Sequence, residues 1–207
     1  MTIHHHPDDA TLMSFAAGSL NEALAAVVAC HAGMCPKCTT TIREMELIGS
    51  TVMCDLHPES VPFVQPSGRF RTALERPGRH AVKVDPLARL LPLPLDQLQW
   101  KRIGLGVHTV KLPLSASTIG DLRLLRIAAG TKVPEHGHGG SELTLILKGA
   151  YTDSLGRFAE GDVADVDAET EHQPVVEAVG ECICLVASES KARFRGLARL
   201  LQPFIGF

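Results

Sequence analysis

The segment His31-Ala32-Gly33-Met34-Cys35-Pro36-Lys37-Cys38 constrains this chain more than any other. Its His-x3-Cys-x2-Cys spacing puts a histidine at the end of one helix and two thiols in the first turn of the next, so the three can converge on one ion. Thiolates at a helix N-terminus are favoured by its unpaired N–H groups and dipole. Zinc in a closed structural site takes four Cys or His ligands, so one is still to be found. His6 is the nearest choice, His5 and His4 are its rivals, and Cys30 is weaker. The competing reading, a redox Cys-x-x-Cys pair, expects a strand before the motif within a βαβ unit, and none is legible here.

Helical periodicity surrounds this segment over residues 8–49. Leu12, Phe15 and Ala16 recur at helical spacing. Ser19 with Glu22 reads as a capping box that opens an alanine-rich helix, and Gly33 can close it. Pro36 suits the start of the next helix, which runs to about Gly49 with Ile42, Met45 and Ile48 on one side. A loop-like stretch over 54–66 and a short helix over 67–75, with Phe70 and Leu74 on one face, complete this half. Residues 77–94 hold four prolines and a glycine, which suits an interdomain linker.

From Leu95 onward the texture is β. Apolar segments at 107–112, 122–127, 143–147, 163–166 and 182–186 are separated by turns holding Gly130, Gly149, Gly156 and Gly161. Many short strands punctuated by glycine argue for a barrel or jelly roll. A final helical turn is expected over 197–201.

A second ligand group lies in this half. His136 and His138 are one residue apart, so their side chains share a strand face, and Glu142 can join them if Gly139-Gly140-Ser141 turns the chain. The run from Gly130 through His136-Gly137-His138 and Glu142 to Gly149 resembles the first cupin motif at every fixed position. Phe158-Ala159-Glu160-Gly161-Asp162 and His172 resemble the second, although Asp167 and Glu169 replace its usual proline and glycine and no asparagine follows. The resemblance implies His136, His138, Glu142 and His172 as the ligand set. Three histidines and a carboxylate serve an open iron or nickel site or a closed zinc tetrahedron. Cys182 and Cys184 alternate on a strand with both sulfurs on one side. They read either as small buried hydrophobes or as redox-sensing thiols near the metal.

A net charge of −3 and a pI near 6.4 leave no basic footprint for nucleic acid or an anionic membrane, so any effect on a nucleic acid runs through a protein partner. No apolar run reaches the roughly 20 residues of a membrane span. The start, with His4 to His6 taken as native, lacks the features of a secretory signal, and a cytoplasmic location with reduced thiols is expected.

The N-terminal spacing with its upstream histidine resembles the zinc-binding anti-sigma domain over about residues 1–76. That resemblance implies His6, His31, Cys35 and Cys38 as zinc ligands and Phe70 and Leu74 as contacts to sigma. Such a domain followed by a cupin resembles the ChrR family of anti-sigma factors. Met1-Thr2-Ile3, Ala16-Ala17-Gly18, Glu142-Leu143-Thr144-Leu145, Cys182-Ile183-Cys184-Leu185 and Gln202-Pro203-Phe204 agree with it. The implied architecture is α + β in two domains: a helical zinc-binding anti-sigma domain (1–76), a linker (77–94) and an all-β cupin jelly roll (95–207). The implied function is inhibition of an extracytoplasmic-function (ECF), RpoE-like sigma factor, released when the cupin senses singlet oxygen or an organic peroxide. The alternative is a metal-dependent cupin enzyme, a dioxygenase or isomerase, with an accessory helical module; Glu135, Glu169 or Glu171 would then be its nearest general base.

Overall fold

The computed structural model describes residues 2–56, 85–190 and the backbone of 193–194. The helix expected over 67–75, with Phe70 and Leu74, and the turn expected over 197–201 lie outside the described residues.

Three helices open the chain: α1 (Asp9–Ala16), α2 (Glu22–Met34) and α3 (Pro36–Cys54). Asp8 caps α1, its carboxylate accepting from the Thr11 N–H. The cap of α2 is Asn21 rather than Ser19, whose hydroxyl donates to the Ser14 carbonyl. The expected capping box does not form, because the carboxylate of Glu22 turns outward to Ser115 and Thr118 in the β half. Gly33 does not end α2 either. The helix continues to Met34, and Gly33 is the position against which Pro86 packs. Helix α3 runs five residues past Gly49, to Cys54.

The stretch expected as a linker is, in its described part, built into the core. Pro86–Leu90 forms a one-turn helix, α4, and Leu87, Leu90, Leu91 and Leu95 pack on buried residues of α2 and the sheet. Its leucines explain this: a bare tether would leave them in water, whereas docking removes them at about 25 cal/mol per Å² of apolar area.

The β half contains β1 (Lys101–Gly104), β2 (Val107–Lys111), β3 (Asp121–Ile127), β4 (His136–Gly137), β5 (Glu142–Lys148), β6 (Ala150–Asp153), β7 (Gly156–Ala159), β8 (Val163–Val166), β9 (Glu171–His172), β10 (Val175–Val176), β11 (Cys182–Ser188) and β12 (Arg193–Phe194). The main sheet has the order β1-β2-β3-β11-β5-β8, and two small sheets, β10-β6-β7 and β12-β4-β9, complete the barrel. All pairings are antiparallel. Gly149 turns β5 into β6 with φ +77°, and a Cβ there would lie 2.3 Å from the Glu181 carbonyl oxygen, so only glycine fits.

Period-two alternation divides the sheet residues between two cores. On β11, Cys182, Cys184 and Val186 face the barrel interior with Ile127, Ile146, Tyr151 and Phe158. Leu185 and Ala187 face outward, where Leu122, Leu124, Leu143 and Leu145 meet Leu24, Val27 and Val28 of α2. Covered on both faces, β11 reads as an unbroken apolar run, as a strand without a solvent side must. The helical and β halves thus share one apolar core.

Candidate metal centres

The junction of α2 and α3 gathers the first ligand group. His31 lies in the last turn of α2 with its ring fully buried, and Cys35 and Cys38 flank Pro36 at the start of α3. His6 arrives from the extended arm before α1. One ligand atom from each of the four lies within 4.8 Å of the others. His6 Nδ1 is 3.4 Å from His31 Nε2, 3.5 Å from Cys35 Sγ and 3.4 Å from Cys38 Sγ, and His31 Nε2 is 3.2 Å from Cys38 Sγ. Bonds of about 2.0–2.3 Å to a tetrahedral zinc give edges of roughly 3.3–3.8 Å, so the donor set fits that ion. Burial pushes the Cys38 thiol up to about 12, with Cys35 beside it adding to the rise. Burial also lowers His6 and His31 below the ordinary histidine value, leaving neutral imidazoles to act as ligands. His4, His5 and Cys30 stand apart from the four. Cys30 lies in the core, where burial pushes its thiol up to about 12.

The outer nitrogen of His31 carries a contact that the sequence did not announce. Its Nδ1–H donates to the Gly161 carbonyl at 2.9 Å, in the turn between β7 and β8. A carbonyl only accepts, so this bond fixes the tautomer and frees Nε2 for a metal. Asp162, the next residue, accepts from the N–H groups of His4 and His5 at 2.7 and 3.0 Å, and Val163 N–H donates to the His5 carbonyl. Burial alone would raise Asp162, but bonds from Ala159, His5 and His4 outweigh it and hold the carboxyl below its usual range.

The second group forms inside the barrel. His136 and His172 face each other across the β4–β9 pairing, His138 follows β4, and Glu142 opens β5. All four are buried. The three Nε2 atoms converge: His172 to His136 is 3.2 Å and His138 to His172 is 3.3 Å, while Glu142 Oε2 is 3.3 Å from His138 Nδ1. His136 Nδ1–H donates to the Pro134 carbonyl at 3.0 Å, and His172 Nδ1–H donates to Asp153 at 2.8 Å. Those bonds turn the Nε2 lone pairs of His136 and His172 toward a shared centre, an arrangement that a cation satisfies. Burial lowers His136. For Glu142, burial acts upward, but the hydrogen bond and charges of the surrounding histidines prevail and hold it below the usual carboxylate range. Asp153 had no signal in the sequence, because only the fold brings the end of β6 to His172, 19 positions away.

Beside this group is a cavity of about 260 Å³, walled mainly by apolar residues including Val107, Leu125, Ile127, Val133 and Val186. His136, Glu142, His172, Tyr151 and Cys184 also line it. The Tyr151 hydroxyl is buried there with no hydrogen-bond partner among the described residues. Cys184 therefore faces the interior near the ligands, while Cys182 is wholly buried.

Comparison with known proteins fits this arrangement. The family model described as the ChrR cupin-like domain matches residues 92–192. The anti-sigma-E factor ChrR of Cereibacter sphaeroides is 37% identical over 216 residues, covering 99% of each chain. A crystal structure of Rhodobacter sphaeroides SigE in complex with the anti-sigma ChrR aligns at 36% identity with a TM-score of 0.76, covering 90% of this chain and 100% of that one. With that identity along its length, and with helices and barrel in the same order, this chain belongs to the ChrR family of anti-sigma factors.

Proposed function

We propose that the chain binds an ECF, RpoE-like sigma factor through its helical half, blocks its use, and releases it under oxidative stress sensed through the cupin. The observation that carries the reading is an apolar surface at the far end of α3 that none of the other described residues covers. Leu47, Ile48, Val52, Met53 and Leu56 are 57–67% exposed. Ile48 and Val52 lie four apart, on one helix face, and Leu56 lies just beyond the end of the helix. Exposed apolar residues grouped at one helix end mark a docking surface. The bundle that presents them is pinned at its other end by His6, His31, Cys35 and Cys38, which would hold zinc. The relative aligned above was crystallised with a sigma factor.

In this reading residues 1–76 grip sigma, 95–207 sense the signal, and 77–94 join them. The cation held by His136, His138, Glu142 and His172, zinc or another divalent transition metal, is the input, and singlet oxygen or an organic peroxide is the stress. To move sigma from mostly bound to mostly free, the signal must change its binding by about 5 kcal/mol. No helix among the described residues is long and apolar enough to cross a membrane.

Membership of an anti-sigma family makes this a regulator rather than an enzyme. Glu135, Glu169 and Glu171 are exposed, and none lines the cavity beside the cupin group.

Co-expression with the ECF sigma factor of the same genome tests the reading. The two should co-purify, and Ile48→Asp with Val52→Asp should abolish co-purification while leaving metal content unchanged. A wild-type chain that neither retains sigma nor represses its promoter would overturn it.

A further inference from the structure

The arm carrying His6 reaches the N-terminal ligand group by crossing the β half. Residues 4 and 5 lie against the β7–β8 turn, with both N–H groups on the Asp162 carboxylate and the His5 carbonyl accepting from Val163 N–H at 3.1 Å. The His5 ring packs on Phe158 with ring centroids 4.3 Å apart. One residue later the chain places His6 among the thiols. The same turn presents the Gly161 carbonyl to His31. It can do so because Gly161 holds φ +89°, a left-handed conformation that favours glycine. Asp162 is 1% exposed, and its second oxygen accepts from the Ala159 N–H at 2.9 Å, which anchors the carboxylate to its own turn. Both imidazole ligands of the N-terminal group are therefore positioned from the cupin side, His31 directly and His6 through its two preceding residues.

We propose that the Gly161-Asp162 turn is a positioning element of the N-terminal metal site, so that the barrel sets how tightly the helical half holds its ion. This rests on the reading of His6, His31, Cys35 and Cys38 as metal ligands and is independent of the partner's identity. The turn leads directly into β8, whose last residue, Val166, pairs with Glu142, a ligand of the cupin group. A shift of Glu142 thus acts on one end of a four-residue strand whose other end abuts the turn. Losing an outer-shell partner weakens a bound metal by roughly 10–100-fold. The barrel can therefore loosen the N-terminal ion without any ligand of that ion reacting.

The test uses the full chain with Co²⁺ and Zn²⁺. Thiolate-to-cobalt charge-transfer absorption reports the N-terminal group alone, since the barrel set has no sulfur ligand. Asp162→Ala should shift the cobalt titration to about 10–100-fold higher free metal, and zinc competition should give the same weakening. His4→Pro removes one donor to Asp162 from the arm and leaves the barrel untouched; it should shift the titration in the same direction by less. The double variant should weaken binding less than the two effects combined, because both remove the bond from His4 N–H to Asp162. Barrel integrity is read from the cupin metal content, and if Asp162→Ala fails to fold, His4→Pro decides. Unchanged N-terminal affinity in both variants, or in His4→Pro alone if the other does not fold, overturns the proposal. Sigma co-purification is scored separately: weakened metal binding in a chain that binds no sigma leaves this proposal standing and removes the functional one.

Discussion

The two ligand groups of this chain have the same number of members and opposite surroundings. The N-terminal group is half thiol, is closed by a helix junction and an arm, and takes its outer hydrogen bonding from the other half of the molecule through Gly161. The cupin group has no thiol, draws its outer partners Pro134 and Asp153 from its own barrel, and borders an apolar cavity. A closed site suits holding a shape, and a site beside a cavity suits meeting a small molecule. Under the proposed function the contrast gives grip to one group and input to the other, with the β7–β8 turn between them.

The largest effect that would break this contrast concerns the closed group. Structural zinc sites contribute about 10–16 kcal/mol of apparent binding energy to small domains, more than such a domain's own stability. Cys38→Ser should lose one ion per chain and most of the α1–α3 helical signal in circular dichroism, and should also lower the stability of the barrel, whose outer face α2 covers. Helices that persist at full amplitude without that ion would contradict a structural role. For the cupin group, His138→Ala should also lose one ion, yet leave a folded barrel destabilised by about 3 kcal/mol, the cost of removing the hydrogen-bond partner of buried Glu142. Denaturant melts of the two variants give the comparison directly.

Proton release sharpens the same contrast. The Cys38 thiol, pushed up to about 12, is protonated at neutral pH and must give up its proton to a metal. Metal affinity there should fall as the pH is lowered. Glu142 is held below the usual carboxylate range and is already ionised, and His136 is lowered and already neutral. Calorimetry in buffers of different ionisation enthalpy should show more protons released per ion by His138→Ala, which keeps only the N-terminal group, than by Cys38→Ser. Equal release would remove the electrostatic difference between the sites. The smallest effect belongs to the cavity. Tyr151→Phe deletes a buried hydroxyl that has no partner among the described residues and should leave stability unchanged or raise it by about 1 kcal/mol. A clear loss of stability would mean that the hydroxyl has a partner.

The candidate ligand residues could be picked out of the sequence because metal chemistry restricts spacing, and the structure brings each set of four together. His31, Cys35 and Cys38 sit at fixed offsets around a helix junction, and His136, His138, Glu142 and His172 match a known motif. The contacts that serve them were not legible: Asp153 carried no pattern, and the second cupin motif that holds Gly161 and Asp162 says nothing of the N-terminal group. Asp153 is selected by three-dimensional proximity to His172 across 19 positions, and Asp162 meets His4 across 158. Long strands such as β3, β5 and β11 stood out through their apolar runs, whereas the two-residue strands β4 and β9 exist only through the pairing that joins His136 to His172. Local rules failed where a tertiary partner outbid them. Glu22 left the expected capping box for Ser115 and Thr118, and Gly33 stayed helical because Pro86 packs there.

The most direct test of the division of labour is sigma retention by two single variants of the full chain, each co-expressed with the sigma factor and purified without added stress. Cys38→Ser should lose the partner, because the face carrying Ile48 and Val52 collapses with the helices. His136→Ala should retain it in equal stoichiometry while lacking the cupin ion. Retention by Cys38→Ser together with loss by His136→Ala would reverse the assignment of grip and input and contradict the account.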